Sequence, residues 1–178
     1  EARHRISYVG DKKTRAWDLI RDLLSMCDAS LVLSGGLLKV VIDEAKSATQ
    51  LFSESNTIAE SLLVTYGRAE RRFNTVVGRF FDEDEDYISN HVKVEDTAEL
   101  ANEAAKVEDL DLLGVSRQSE AIRICSRHLK ENKHRDTEYT WETSLEGLAS
   151  EPGDVIKLHS RDERLREILG YLGPNKTS

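Results

Sequence analysis

Between residues 116 and 160 the apolar spacing changes from a helical to a strand period, and this change limits the fold more than any other feature of the chain. Ser116 can accept a hydrogen bond from a first-turn amide, and Ala121, Ile122, Cys125 and Leu129 follow along one face of a helix. Thr137, Tyr139, Trp141, Thr143 and Leu145 then alternate with Glu138, Thr140, Glu142 and Ser144, the two-residue period of a half-buried strand. Pro152 fixes its own φ and Gly153 accepts positive φ, so the pair fits a type II turn leading into a strand at Val155 and Ile156.

Upstream, residues 5–9 read as a short strand closed by Gly10 and Asp11. A helix capped by Asp11 or Thr14 follows, with Ala16, Trp17, Ile20, Leu23, Leu24 and Cys27 on one face and Trp17 as its anchor to the core. Two Val- and Leu-rich runs, 30–34 and 37–43, flank Gly35 and Gly36 and predict a hairpin. Residues 45–55 read as a loop or a helical turn in which Leu51 and Phe52 are local anchors. Strands are expected over 61–66, 73–81 and 87–94, with a charged bend at 68–72 and an acidic tip at 82–86. A helical patch at 97–105 and an extended run from Val107 to Gly114 lead to Ser116. Past Ser160, Leu165, Ile168, Leu169 and Leu172 suggest an amphipathic helix over 161–171 that Gly173 and Pro174 stop.

At 178 residues the chain is long enough for one good core, and 39% hydrophobic residues place it among folded domains. Its longest apolar runs fall far short of the ~20 residues that span a bilayer as a helix. The chain begins with Glu1 and Ala2 and shows no leader pattern, as expected of a part excised from something longer. A net charge of −8 argues against duplex-DNA binding and specific nucleic-acid recognition, which rest on concentrated Lys and Arg. The local basic clusters, Arg68, Arg71, Arg72 and Lys130, Lys133, Arg135, are interrupted by acids and read as solvated faces. Cys27 and Cys125 fall at apolar helix positions, which predicts free, buried thiols.

Chemistry-bearing patterns do not complete themselves. The alternating acids of the tip begin like a calcium loop, but Tyr87 stands where the loop needs Gly and Lys93 where it needs Glu. Cys125 and His128 lie one turn apart with His134 beyond, but no second ligand pair for zinc is visible. No Ser lies in a nucleophile elbow, the Gly35, Gly36 pair lacks the Lys and helix of a phosphate loop, and Glu151 and Asp154 are explained by their turn. The expectation is therefore no catalytic, metal or cofactor residues, no cofactor, and no enzyme. Trp17, Tyr139 and Trp141 remain as candidate packing or interface residues.

The order of these features resembles the tail-tip attachment and baseplate-hub proteins of tailed bacteriophages, the lambda-type host-specificity family and its prophage relatives. The residues that carry it are Arg71, Arg72, Phe73, Asn74, Thr75, Val76 and Val77, the tip ending in Asp86 and Tyr87, and Val92, Val94, Glu95 and Asp96. Gly114 to Ser116, Glu120, Ala121, Arg123 and Leu129, and the Pro152, Gly153, Asp154, Val155, Ile156 turn continue it. Upstream, the Ala16, Trp17, Asp18, Leu19 helix and the Gly35, Gly36 hairpin also match. The resemblance covers residues 5–160, and the family's further β and fibronectin-like domains have no counterpart in residues 161–178.

The resemblance implies a structural role: a hub subunit, trimeric in this family, joining the tail tube to the tip or fibre. Its partners would be itself as a homotrimer and the neighbouring tail-tube and tail-tip proteins. Its location would be the virion tail, or the bacterial cytoplasm before assembly. The residues themselves predict an α+β fold of antiparallel hairpins forming a mixed sheet or partial barrel, packed by two amphipathic helices. A tail-hub-like domain is expected at 5–160 and a helix with polar tail at 161–178. Two other functions compete: an intracellular adaptor that binds through Tyr139 and Trp141, and a part of a cell-wall hydrolase.

Overall fold

The computed structural model describes residues 4–10, 13–44, 46–67, 72–135, 137–159 and 168–171, the last four by backbone alone. The chain divides into two compact units, Glu1–Cys27 with Tyr66–Thr137 and Asp28–Thr65 with Glu138–Ser178. The architecture is α+β. Three helices accompany small two- and three-stranded sheets, and none of these sheets closes into a barrel among the described residues.

In the first unit the helices are α1 (Ala16–Met26), α2 (Thr97–Leu100) and α3 (Gln118–His134). The central strand of its sheet is β5 (Thr75–Asp82), antiparallel to β6 (Ile88–Glu95) and parallel to β7 (Val107–Asp111). Val76 and Phe80 share the face of β5 that α3 covers, and with Val92, Leu112, Val115, Ala121, Cys125 and Leu129 they form one buried cluster. Ala121, Cys125 and Leu129 recur every fourth residue, so a single stripe of α3 is buried while Ile122, off that stripe, stays exposed. Gly78 completes the fit. A Cβ there would collide with Cys125 Sγ and stand 3.0 Å from Leu112 Cδ1.

The second unit opens with a hairpin of β1 (Ala29–Ser34) and β2 (Leu37–Ile42). Gly35 and Gly36 both take positive φ, +58° and +77°, as a two-residue hairpin of type I′ requires. In its three-stranded sheet, β9 (Val155–His159) lies between β3 (Gln50–Ser53), which runs parallel to it, and β10 (Ile168–Tyr171), which runs antiparallel. Phe52, Ile156 and Leu158 are buried there, with Leu62, Tyr139 and Trp141 packed against them. A further pair of strands, β4 (Leu63–Tyr66) and β8 (Thr137–Thr140), forms a two-stranded sheet.

Several expectations need correction. Residues 5–9 form no strand; they are held where Ser7 N donates to Gly114 O at 2.7 Å. Trp17 is 47% exposed, because α1 buries no residue and reaches the cluster only through Met26 near its end. Of the two caps proposed for α1, Asp11 lies outside the described residues, and Arg15 holds the N-cap position without a side-chain bond. Ser116 does not cap α3 either: its Oγ donates to Glu83 Oε2 at 2.9 Å, and the helix begins after Arg117.

The strand expected over 137–145 stops at Thr140. Glu142 O instead accepts from Ile58 N, Thr143 pairs with Thr57 in an isolated bridge, and Leu145–Ala149 winds into a 3₁₀ turn that leaves Leu145 exposed. Part of the segment read as a loop over 45–55 is strand β3, with Phe52 buried and Leu51 exposed. Of the helix expected over 161–171, the last four residues are β10, whose backbone pairs with β9 with Ile168 in register with Leu158; the rest lies outside the described residues. The Pro152, Gly153 turn is formed as expected, with Asp154 N donating to Glu151 O at 3.1 Å and Gly153 at φ +94°.

Candidate functional site

The densest polar constructions hold loops to the first unit's sheet. Asn74 is buried at the head of β5, where its Oδ1 accepts from Lys106 N at 2.8 Å and its Nδ2 donates to Ala104 O at 3.1 Å. Its backbone oxygen accepts from Asp96 N at 2.9 Å. Asp96 in turn caps α2 through Ala98 N and Glu99 N and takes a 2.6 Å hydrogen bond from Lys133 Nζ on α3. That bond holds the Asp96 carboxyl below its ordinary range and raises the Lys133 ammonium.

Glu120, buried in the first turn of α3, accepts from Arg5 N at 3.1 Å and lies 3.6 Å from His4 Nδ1 and 3.3 Å from Arg117 Nη2. It fastens His4 and Arg5, which precede α1. In the sequence Glu120 stands out only within the family resemblance; a carboxylate on the apolar side of a first turn was the available signal.

At the acidic tip, Asp82 is buried and accepts from Asp84 N at 3.1 Å, and Glu83 is engaged by Ser116 and, at 3.4 Å, by Arg5. These carboxylates shape the turn and do not converge on a common point. Among the described residues no three His, Cys, Asp or Glu side chains are grouped to hold a metal ion. Cys125 and His128 do not assemble a site: burial pushes the Cys125 thiol up to about 11, and the His128 ring stacks on Phe73 at 5.1 Å. Cys27 is also a free thiol, and burial raises it too.

The aromatic pair singled out from the sequence lies in the second unit. Trp141 sits 5.5 Å from the Phe52 ring at an interplanar angle of 58°, and Tyr139 packs on the same cluster. Both are half-buried. Trp17, the third candidate, is on the exposed side of α1.

With this geometry in place, comparison with known proteins is informative. The model of a family described as "Putative phage tail protein" matches residues 15–168. The chain belongs to this phage tail protein family. It is 28% identical over 158 residues to Tip attachment protein J of Escherichia phage SECphi27, a match that covers 89% of this chain and 13% of that protein. Its fold is similar to that of a chain in the virion of a native gene transfer agent particle, with a TM-score of 0.65 and 15% identity over 84% of this chain and 34% of that one. The chain thus spans well under two thirds of either relative.

In this phage tail protein several polar and turn residues hold the loops around the strands. Asn74 locks the head of β5, Ser116 and Glu83 hold the acidic tip, and the Pro152, Gly153 turn starts β9. No helix among the described residues is long and apolar enough to cross a membrane.

Proposed function

We propose that the chain is a structural, non-catalytic segment of a tail-tip or baseplate-hub subunit that joins the tail tube to the tip or fibre. The observation that carries this reading is the alignment of 89% of the chain with a tip attachment protein. The site geometry is consistent with it, since the buried carboxylates and the aromatic pair are spent on loop anchoring and packing. On this reading residues 5–160 are the hub-like region, the protein works in the virion tail after synthesis in the bacterial cytoplasm, and its partners are tail-tube and tip proteins and further copies of itself in a homotrimer.

An epitope tag on the protein in its own phage particle tests the location by gold labelling in electron micrographs. Label confined to the distal end of the tail is expected; label on the head, or along the whole tail, would refute the hub reading. Light scattering of the product of the complete reading frame tests the trimer separately, with three copies expected and a monomer counting against it.

A further inference from the structure

We propose that residues 4–7 form a strap that opens and closes as one unit over the start of α3, and that its closure steadies the acidic tip through Glu83. The proposal stands on contacts inside the first unit and does not depend on where in the tail the protein works.

The strap is tied at one corner of that unit. Arg5 N donates to Glu120 Oε1 at 3.1 Å, and His4 Nδ1 lies 3.6 Å from the same oxygen. Ser7 N donates to Gly114 O at 2.7 Å, and Ile6 sits against Gly114, where an added Cβ would stand 2.8 Å from Ile6 Cγ2. Arg5 Nη1 reaches Glu83, 3.5 and 3.4 Å from its two carboxylate oxygens.

The two sides of this contact are built differently. Glu120 and Ser116 are each 2% exposed, whereas the Arg5 side chain is 56% exposed and Ile6 39%. No strap residue belongs to the buried cluster under α3, and α1, which follows, buries none of its residues. Lifting the strap therefore breaks polar ties and one Ile contact while Val76, Phe80, Val92 and Cys125 stay packed. A local opening of this kind needs less free energy than unfolding the core. The receptor persists when the strap leaves, because Arg117 Nη2 still holds Glu120 at 3.3 Å.

Glu83 carries the coupling. Its carboxylate takes Arg5 from the strap and Ser116 Oγ, at 2.9 Å, from the start of α3, and its own N–H donates to Ser116 O at 3.0 Å. With the strap lifted, Glu83 loses Arg5 beside Asp84, Glu85 and Asp86, and repulsion within the tip rises. A partner that grips residues 4–7 thus acts on the tip without touching it. By linkage, a partner on the tip acts on the strap.

Amide hydrogen exchange of the 178-residue chain, resolved by NMR over a series of low urea concentrations, tests the proposal. The Arg5 and Ser7 amides should share one opening with weak urea dependence, since little surface is exposed, while the amides of β5 show the full dependence of global unfolding. Glu120→Gln should lower the protection of both strap amides by about 10-fold or more, including Ser7, whose own bond to Gly114 is untouched. Arg5→Ala should lower protection of the Glu83 amide by about 2- to 5-fold, and Glu83→Gln should lower that of Ser7 by a similar factor.

Strap amides with the urea dependence of β5 would show that the strap leaves only when the unit unfolds, and would overturn the proposal. So would Ser7 protection that Glu120→Gln leaves unchanged, or a Glu83 amide indifferent to Arg5→Ala. If Glu120→Gln does not fold, the wild-type urea series and Arg5→Ala still decide the matter. None of these results bears on the gold-label test of the hub reading.

Discussion

Replacing Asn74 by Ala tests whether one buried amide joins three parts of the first unit. The substitution removes the acceptor for Lys106 N and the donor to Ala104 O while leaving the backbone bond from Asp96 N in place. Two magnitudes compete. If the abandoned backbone groups stayed dry, each would cost about 1–3 kcal/mol; if water replaced Asn74, each lost bond would cost its net value of about 0.5–1.5 kcal/mol. Ala104 and Lys106 are themselves exposed, so water reaches them and the smaller figure applies. The total is about 2 kcal/mol for the pair. With a urea dependence of about 2 kcal/mol per molar, the unfolding midpoint should fall by about 1 M. Asn102→Ala, which loses an exposed bond to Ala98 O, is the control and should change stability by less than about 0.5 kcal/mol. Hydrogen exchange adds a local measure, since the Lys106 amide should lose protection in Asn74→Ala. Equal midpoints for the two variants would refute the reasoning.

Four further outcomes are expected. Gly78→Ala should cost about 1–3 kcal/mol by overpacking against Cys125 and Leu112, and adding Cys125→Ala should recover part of it in a melting experiment; simple additivity of the two costs would refute the clash. Phe52→Ala should cost about 3–5 kcal/mol and shift Trp141 emission to the red, while an unchanged spectrum would count against their ring contact. Asp96 is depressed, so its stabilising share is present above the unfolded carboxyl pKa and lost as pH falls through the folded one; Lys133 is raised, so its share is present below its unfolded pKa and lost as pH rises through the folded one. The pair therefore acts across the neutral range, and Lys133→Met should return the Asp96 titration, followed by NMR, towards its ordinary value. With its thiol pushed up to about 11, Cys125 should react with a thiolate-selective reagent at pH 8 at least ~100-fold more slowly than a free cysteine, and rapid labelling of the folded chain would contradict its burial.

What could be read from the sequence was what neighbouring residues decide. Gly35 and Gly36 determine a two-residue hairpin by their own conformational freedom, Pro152 and Gly153 do the same for their turn, and the stripe Ala121, Cys125, Leu129 needs only helical spacing. What could not be read depended on distant partners. Strand β3 has four residues, one of them buried, and is a strand because β9 lies parallel beside it. The alternation from Thr137 to Leu145 was genuine, but the chain around Thr57 and Ile58 offered better backbone partners beyond Thr140. Ser116 fits an N-cap equally well by composition, and only the nearness of Glu83 decides against it.

The same division explains why the candidate site was only half visible. Trp17, Tyr139 and Trp141 were chosen for size, yet size does not distinguish a ring packed on Phe52 from one left on the outer side of α1. Asn74 carried a better signal: Asn is disfavoured in strands, so an Asn heading the run Thr75, Val76, Val77 points to a side chain with obligations to the backbone of other segments. Glu120 follows the same rule on the covered side of α3. A buried polar residue inside an apolar pattern costs stability unless partnered, so in a chain of this kind it marks where loops are tied down.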